Sequence, residues 1–130
     1  MPVADTSFII DLIRHERAAL KKLDALEQEG KTLCITWVNA LELFAGAYRS
    51  AHVESNVKEI IALLNVCEEL PFSAEIYHTF GYLSAALHRQ GNPVGDFDLV
   101  IAAMALSHDR EIVTRDHHFE KIPDLVVLRY

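Results

Sequence analysis

Gly95-Asp96-Phe97-Asp98-Leu99-Val100-Ile101-Ala102-Ala103-Met104-Ala105-Leu106 places two carboxylates at the mouth of a segment that then stays apolar for eight residues, Leu99 to Leu106. The run is too short for a bilayer, which takes about 20 apolar residues, and its lack of a polar face predicts a helix buried on most sides. Asp96 and Asp98 therefore stand at a helix entrance, where orphan N–H groups and the positive end of the dipole favour an acid. Two readings fit this stretch alone: an aspartate N-cap, or one part of a metal or catalytic site assembled where the buried helix begins.

Outward from this stretch, apolar strand candidates alternate with helical patterns. Val3-Ala4 is a short strand entry that stops at Asp5-Thr6-Ser7, and Phe8-Ile9-Ile10-Asp11-Leu12-Ile13 reads as a helix start. Glu16 to Glu29 carries Ala19, Leu20, Leu23 and Leu26 at helical spacing and ends at Gly30, a suitable residue beyond a helix C-terminus. Thr32 to Thr36 predicts a buried strand, Val38 to Tyr48 a helix, and Val53, Val57, Ile60, Ile61 and Leu64 a core-facing helical stripe. Val66 to Pro71 is a further strand, Ser73 is placed to cap a helix bearing Ile76, Phe80, Leu83 and Leu87, and Gly91-Asn92-Pro93 ends it. Downstream of the opening stretch, Glu111 to Thr114 predicts a strand, Arg115 to His118 a loop, and Leu125 to Leu128 a last strand. This alternation predicts an α/β fold: a central, mostly parallel sheet covered by helices on both faces, in a single domain over 1–130.

A chain of 130 residues is long enough to bury its own core without disulfides or structural metal. Its net charge of −7 argues against a broad phosphate-neutralising surface, so contact with a nucleic acid would need local basic groups or a bound cation. A hydrophobic content of 51% suggests that a partner or a second copy covers some apolar surface. Cys34 and Cys67 form no CxxC pair and sit in apolar contexts, as reduced core thiols of a cytosolic protein would. Asp5 interrupts the N-terminal apolar residues, no basic stretch with a cleavage site follows, and a cytoplasmic protein away from membranes is expected.

Polar sites of parallel sheets form beyond the carboxyl ends of the strands. Asp5 and Asp116 both directly follow apolar strand candidates. Glu42, within Trp37-Val38-Asn39-Ala40-Leu41-Glu42-Leu43-Phe44-Ala45-Gly46, has Val38, Ala45 and Gly46 at helical spacing and no local lysine or arginine. Such an acid either reaches solvent at a helix edge or meets a cation. Asp5, Glu42, Asp98 and Asp116 together put four acids at strand ends and helix mouths, an oxygen-only donor set that suits Mg²⁺ or Mn²⁺.

At this point the chain resembles the PIN-domain ribonucleases, and in particular the VapC-type toxins of toxin–antitoxin pairs, over essentially its full length. Val3-Ala4-Asp5-Thr6-Ser7 is similar to their opening strand-and-aspartate motif, and Leu41-Glu42-Leu43-Phe44-Ala45-Gly46 to their glutamate-bearing helix. Asp98-Leu99-Val100-Ile101-Ala102-Ala103 is similar to the third acidic motif, and Val113-Thr114-Arg115-Asp116-His117-His118-Phe119 to the fourth. The resemblance implies a PIN-like three-layer α/β/α fold and a metal-dependent endoribonuclease. In it, Asp5, Glu42, Asp98 and Asp116 would be the catalytic acids and bind one or two Mg²⁺ or Mn²⁺ ions. Metal-activated water would attack an RNA phosphodiester and leave a 5′-phosphate and a 3′-hydroxyl, with Thr6 and Thr114 orienting a ligand or water. It further implies a homodimer and a cognate VapB-type antitoxin whose C-terminal segment fills the active-site groove.

Two positions depart from the family pattern. The third motif offers both Asp96 and Asp98; Asp98 is favoured because it directly precedes the apolar run, with Asp96 as an auxiliary ligand or cap. His118 stands where many relatives carry another acid, and either weakens a second metal site, contacts phosphate, or lies in solvent as loop residues do. His117-His118 lacks Cys or His partners at zinc-site spacing, and Arg14, Arg17, Lys21, Lys22, Arg49, Arg89 and Arg115 either line an RNA path or form a solvated face. Other classes share the acids. A Mg-binding receiver-like signalling module would need adjacent N-terminal acids and a late lysine, and an Asp-x-Asp phosphatase an acid where Ser7 stands. A PIN-fold RNA-processing nuclease outside toxin–antitoxin systems would carry the same four acids.

Overall fold

In the computed structural model, which describes residues 1–130, the chain forms five strands and six helices. They run β1 (Val3–Ala4), α1 (Thr6–Ile13), α2 (Arg17–Gln28), β2 (Cys34–Ile35), α3 (Trp37–Tyr48), α4 (Val53–Val66), β3 (Glu68–Glu69), α5 (Glu75–Arg89), α6 (Asp96–Leu106), β4 (Glu111–Val113) and β5 (Val126–Leu128). The sheet is parallel throughout, in the order β3-β2-β1-β4-β5, with Val3 opposite Cys34 on one side and Ile112 on the other.

Side chains alternate across a strand, so each two-residue strand supplies both faces. Val3, Cys34 and Ile112 point into a cluster with Leu83 and Leu87 of α5 and the apolar run of α6. Their neighbours Ala4, Ile35 and Val113 point into the opposite cluster, with residues of α1, α2, α3 and α4. Helices thus cover both faces, as the alternating pattern predicts. The run behind Asp98 is buried as expected: Leu99, Ile101, Ala102, Ala103, Met104 and Ala105 are all in the core. The edge strand β3 is Glu68-Glu69, and charges there discourage another strand from pairing with it. No helix is long and apolar enough to cross a membrane.

Four local expectations are corrected. Ser73 is not the cap of α5; that position is Ala74, without a side-chain cap bond, and Ser73 contributes only its carbonyl, which accepts from the Ile76 N–H. Neither Asp96 nor Asp98 is the N-cap of α6, because Gly95 takes that place and both acids lie within the first turn. Residues 117–121 wind into a 3₁₀ turn, where a loop over Arg115 to His118 is predicted; Asp116 caps the turn by accepting from the His118 N–H. Cys34 and Cys67 are both free, but only Cys34 lies in the core, where burial pushes its thiol up to about 11.

Candidate active site

Three central strands end in polar residues, Ile35 in Thr36, Ala4 in Asp5 and Val113 in Thr114, and the site is built from this row. Asp5 continues the sheet through its N–H to the Val113 carbonyl and then caps α1. Asp5 is 4% exposed, and its carboxylate accepts from the Thr6 N–H at 2.8 Å, the Ser7 hydroxyl at 2.7 Å and the Thr114 hydroxyl at 2.8 Å. Burial raises the Asp5 carboxyl above its ordinary value and the Asp116 charge adds to that, while the three donors pull the other way. The Thr114 hydroxyl also accepts from the Asp116 N–H at 2.9 Å, which sets the start of the 3₁₀ turn.

A second hydrogen-bonded chain positions Glu42. The Thr6 hydroxyl donates to Glu42 at 2.7 Å and accepts from the Asn39 amide at 3.0 Å. The Asn39 carbonyl oxygen in turn accepts from the Thr36 N–H and hydroxyl, completing a capping box at the start of α3. Asn39 and Thr36 are fully buried, and no buried side-chain polar atom in the chain lacks a partner. Glu42 is therefore neither a free helix edge nor a buried orphan. It is half-buried and held by Thr6.

Asp98 sits opposite these groups with no hydrogen-bond donor of its own. Burial, followed by the charges of Asp5, Glu42 and Asp116, pushes its carboxyl up to about 6. Asp116 goes the other way: burial opposes its ionisation, but the His118 N–H and ring, 2.6 Å away through Nδ1, and the His117 charge outweigh it and hold the carboxyl below its ordinary value. Asp5, Glu42, Asp98 and Asp116 thus come together, whereas Asp96, two residues earlier on α6, is open to solvent and outside this set of interacting charges. Thr6 and Thr114 both touch the acids directly.

The donor set suits a hard divalent cation: it is all carboxylate oxygen, and no ion pair of the chain reaches Asp5, Glu42 or Asp98. No three of these side chains converge on one point in this arrangement. Of the cations read as either an RNA path or a solvated face, Arg14 lines a cavity of about 290 Å³ beside Glu42, and Arg115 pairs with Asp11. Arg17, Lys21, Lys22, Arg49 and Arg89 make no ion pair with the acids.

Sequence reasoning missed Ser7, Thr36 and Asn39. The Thr36-x-x-Asn39 spacing and an asparagine in the mainly apolar first turn of α3 were the available signals for two of them. Ser7 carried none beyond its place two residues after Asp5.

The family model described as PIN domain matches residues 3–125. The tRNA(fMet)-specific endonuclease VapC of Shigella flexneri is 35% identical over 122 residues, covering 93% of this chain and 91% of that protein. The ribonuclease VapC2 of Haemophilus influenzae is 29% identical over 119 residues, 91% of this chain and 89% of that one. Among solved structures, that of VapBC2 from Rickettsia felis, bound to a DNA fragment from its promoter, contains a chain that superposes with a TM-score of 0.89 at 26% identity, covering 98% of this chain and 97% of that one.

Proposed function

The chain belongs to the PIN-domain family and to its VapC-type branch, and from that premise we propose that it is a metal-dependent endoribonuclease, the toxin of a toxin–antitoxin pair. It acts as a single PIN domain in the cytoplasm. Asp5, Glu42, Asp98 and Asp116 are its catalytic acids and hold one or two Mg²⁺ or Mn²⁺ ions. The observation that carries the reading is Asp98, an acid without a donor or cation partner, set against three other carboxylates on a rigid buried helix.

When bound, the metal supplies an activated water and neutralises charge on the phosphodiester. The chain's own residues supply the positions. Ser7, Thr114 and the Thr6 N–H fix both oxygens of Asp5. Asn39 and Thr6 fix Glu42, and Thr114 ties Asp5 to the turn that carries Asp116. Asp98 is the third-motif ligand, and exposed Asp96 has at most an auxiliary role.

An RNA strand is the substrate, and a cognate VapB-type antitoxin and a second copy of the chain are its protein partners. The VapBC assemblies solved for similar chains support the antitoxin. The exposed aromatics Trp37, Phe72 and Tyr77, in edge-to-face contact, support a covered apolar surface.

The test uses the purified chain, free of antitoxin, on single-stranded RNA. Cleavage is expected with Mg²⁺ or Mn²⁺ and not with EDTA. Asp98→Asn removes a ligand without removing any hydrogen bond, so it should cut the rate by about a thousandfold, the scale of losing a few kcal/mol of metal-borne stabilisation, with the fold intact. Asp96→Asn should retain most activity. Unchanged cleavage in EDTA, or by Asp98→Asn, would overturn the reading.

A further inference from the structure

A fifth acid, Asp11 on α1, lies outside the four already assigned. It is 5% exposed, and its carboxylate takes Arg115 side-on, with Nε 2.9 Å from Oδ2 and Nη2 3.3 Å from Oδ1. The Tyr130 hydroxyl donates to Oδ2 at 2.7 Å, and the Tyr130 ring packs on Phe8 at 4.8 Å between centroids. Arg115 stands between Thr114, which binds Asp5, and Asp116. Its backbone therefore leads directly into the acidic site, with consecutive Cα atoms about 3.8 Å apart. The Arg129 guanidinium donates to the Arg115 carbonyl at 3.3 Å and steadies the same segment from the other side.

The two partners of this ion pair are not equally buried. The Asp11 side chain is 7% exposed and that of Arg115 58%. A buried carboxylate needs a partner to offset its desolvation, and Arg115 supplies one without burying its own guanidinium. Here the acid is hidden and the guanidinium is presented. A guanidinium has five N–H donors in a planar fork, and a side-on carboxylate engages one edge, leaving the remaining donors for a second oxyanion. In a chain of net charge −7, an anionic polymer crossing four carboxylates needs a fixed cation close by.

We propose that Arg115, aimed by buried Asp11, binds the RNA phosphate that flanks the scissile one and so sets the register of the strand over the acids. The assignment rests on the nuclease reading above and adds a substrate contact that the four acids do not supply. Arg115 is then the phosphate ligand; Asp11 and Tyr130 are positioning residues that act through it.

The experiment reads binding of a labelled single-stranded RNA of mixed sequence to the full chain in EDTA, across a salt titration, together with thermal melting. Arg115→Gln should weaken binding about tenfold, the scale of a hydrogen bond to a charged group, and reduce the slope of log K against log salt by about 0.7, the value of one phosphate contact on a single strand. Arg115→Lys should recover most of the slope and part of the affinity. Because Arg115→Gln strands Asp11 as a buried, uncompensated charge, the double variant Asp11→Asn with Arg115→Gln is measured beside it. That variant should regain melting temperature while binding stays weak. A double variant that binds like wild type, an unchanged slope in Arg115→Gln, or a wild type that binds no RNA would each overturn the proposal. Wild-type binding with the expected Arg115 effect but no cleavage in Mg²⁺ would instead fault the nuclease reading and leave the phosphate contact standing.

Discussion

At the strand ends Asp5 accepts three hydrogen bonds and is nearly sealed from water, whereas at the mouth of α6 Asp98 accepts none and faces three other carboxylates. Both carboxyls are raised above their ordinary value, with burial as the leading cause, but Asp5 has donors working against that rise and Asp98 has like charges adding to it. The fold thus stabilises one acid by itself and leaves the other to be satisfied from outside. Removing support around Asp5 should damage the protein without any ligand present. Removing the Asp98 charge should help the free protein and harm only what it binds.

The largest effect tests the supported side. Asn39→Ala leaves the Thr36 N–H buried without its acceptor, removes the donor to Thr6 and opens a cavity, and should cost about 3 kcal/mol by denaturant unfolding. A loss below about 1 kcal/mol, the scale of a single net hydrogen bond, would show that the Thr36–Asn39–Thr6 chain is not what holds this end of the sheet. Next comes Thr114→Val, which keeps the side-chain shape but removes one donor to Asp5 and the acceptor of the Asp116 N–H. It should cost about 1–2 kcal/mol and lower RNA cleavage about 10- to 100-fold, as loss of a group that orients a metal ligand does. Full activity in a destabilised Thr114→Val chain would separate the support of the fold from the support of the site.

The same contrast explains what could be read from the sequence. The α6 run, the strand ends at Asp5 and Asp116 and the alternation of strands with helices are periodic or local signals, and each element appears close to where its residues put it. The acids were recognisable by type and position. Their support was not, because it runs between residues 33 positions apart for Asn39 and Thr6 and 109 apart for Thr114 and Asp5, and side-chain partners at that separation leave no spacing rule to find. Asp11 shows the cost most plainly. It sits inside Phe8-Ile9-Ile10-Asp11-Leu12-Ile13 like any helix residue, and only the fold brings Arg115 and Tyr130 to it. Ser73 shows the converse error, a good capping residue placed one position too early for α5, whose first turn starts after Ala74.

The smallest effect is also the one of unexpected sign. Asp98 has an ordinary value of 3.8 and is pushed up to about 6 in the folded chain, so between these pH values the folded state binds the extra proton. Stability attached to this group is fully present below pH 3.8 and is lost as pH rises through 6. Above that window the ionised carboxylate opposes folding, and Asp98→Asn removes the penalty. The neutral variant should therefore be more stable than wild type at pH 7.5 by about 1 kcal/mol, less than the full shift implies because the half-buried site is screened by water. The advantage should shrink steadily on acidification and vanish near pH 4. Added Mg²⁺ should reverse the order of melting temperatures, because a cation that binds only the folded wild-type site raises its stability by mass action and gains less from the variant. Equal stability of the two chains at pH 7.5 without metal would mean that Asp98 does not face the other carboxylates in solution, and the contrast with Asp5 would fail at its weaker end.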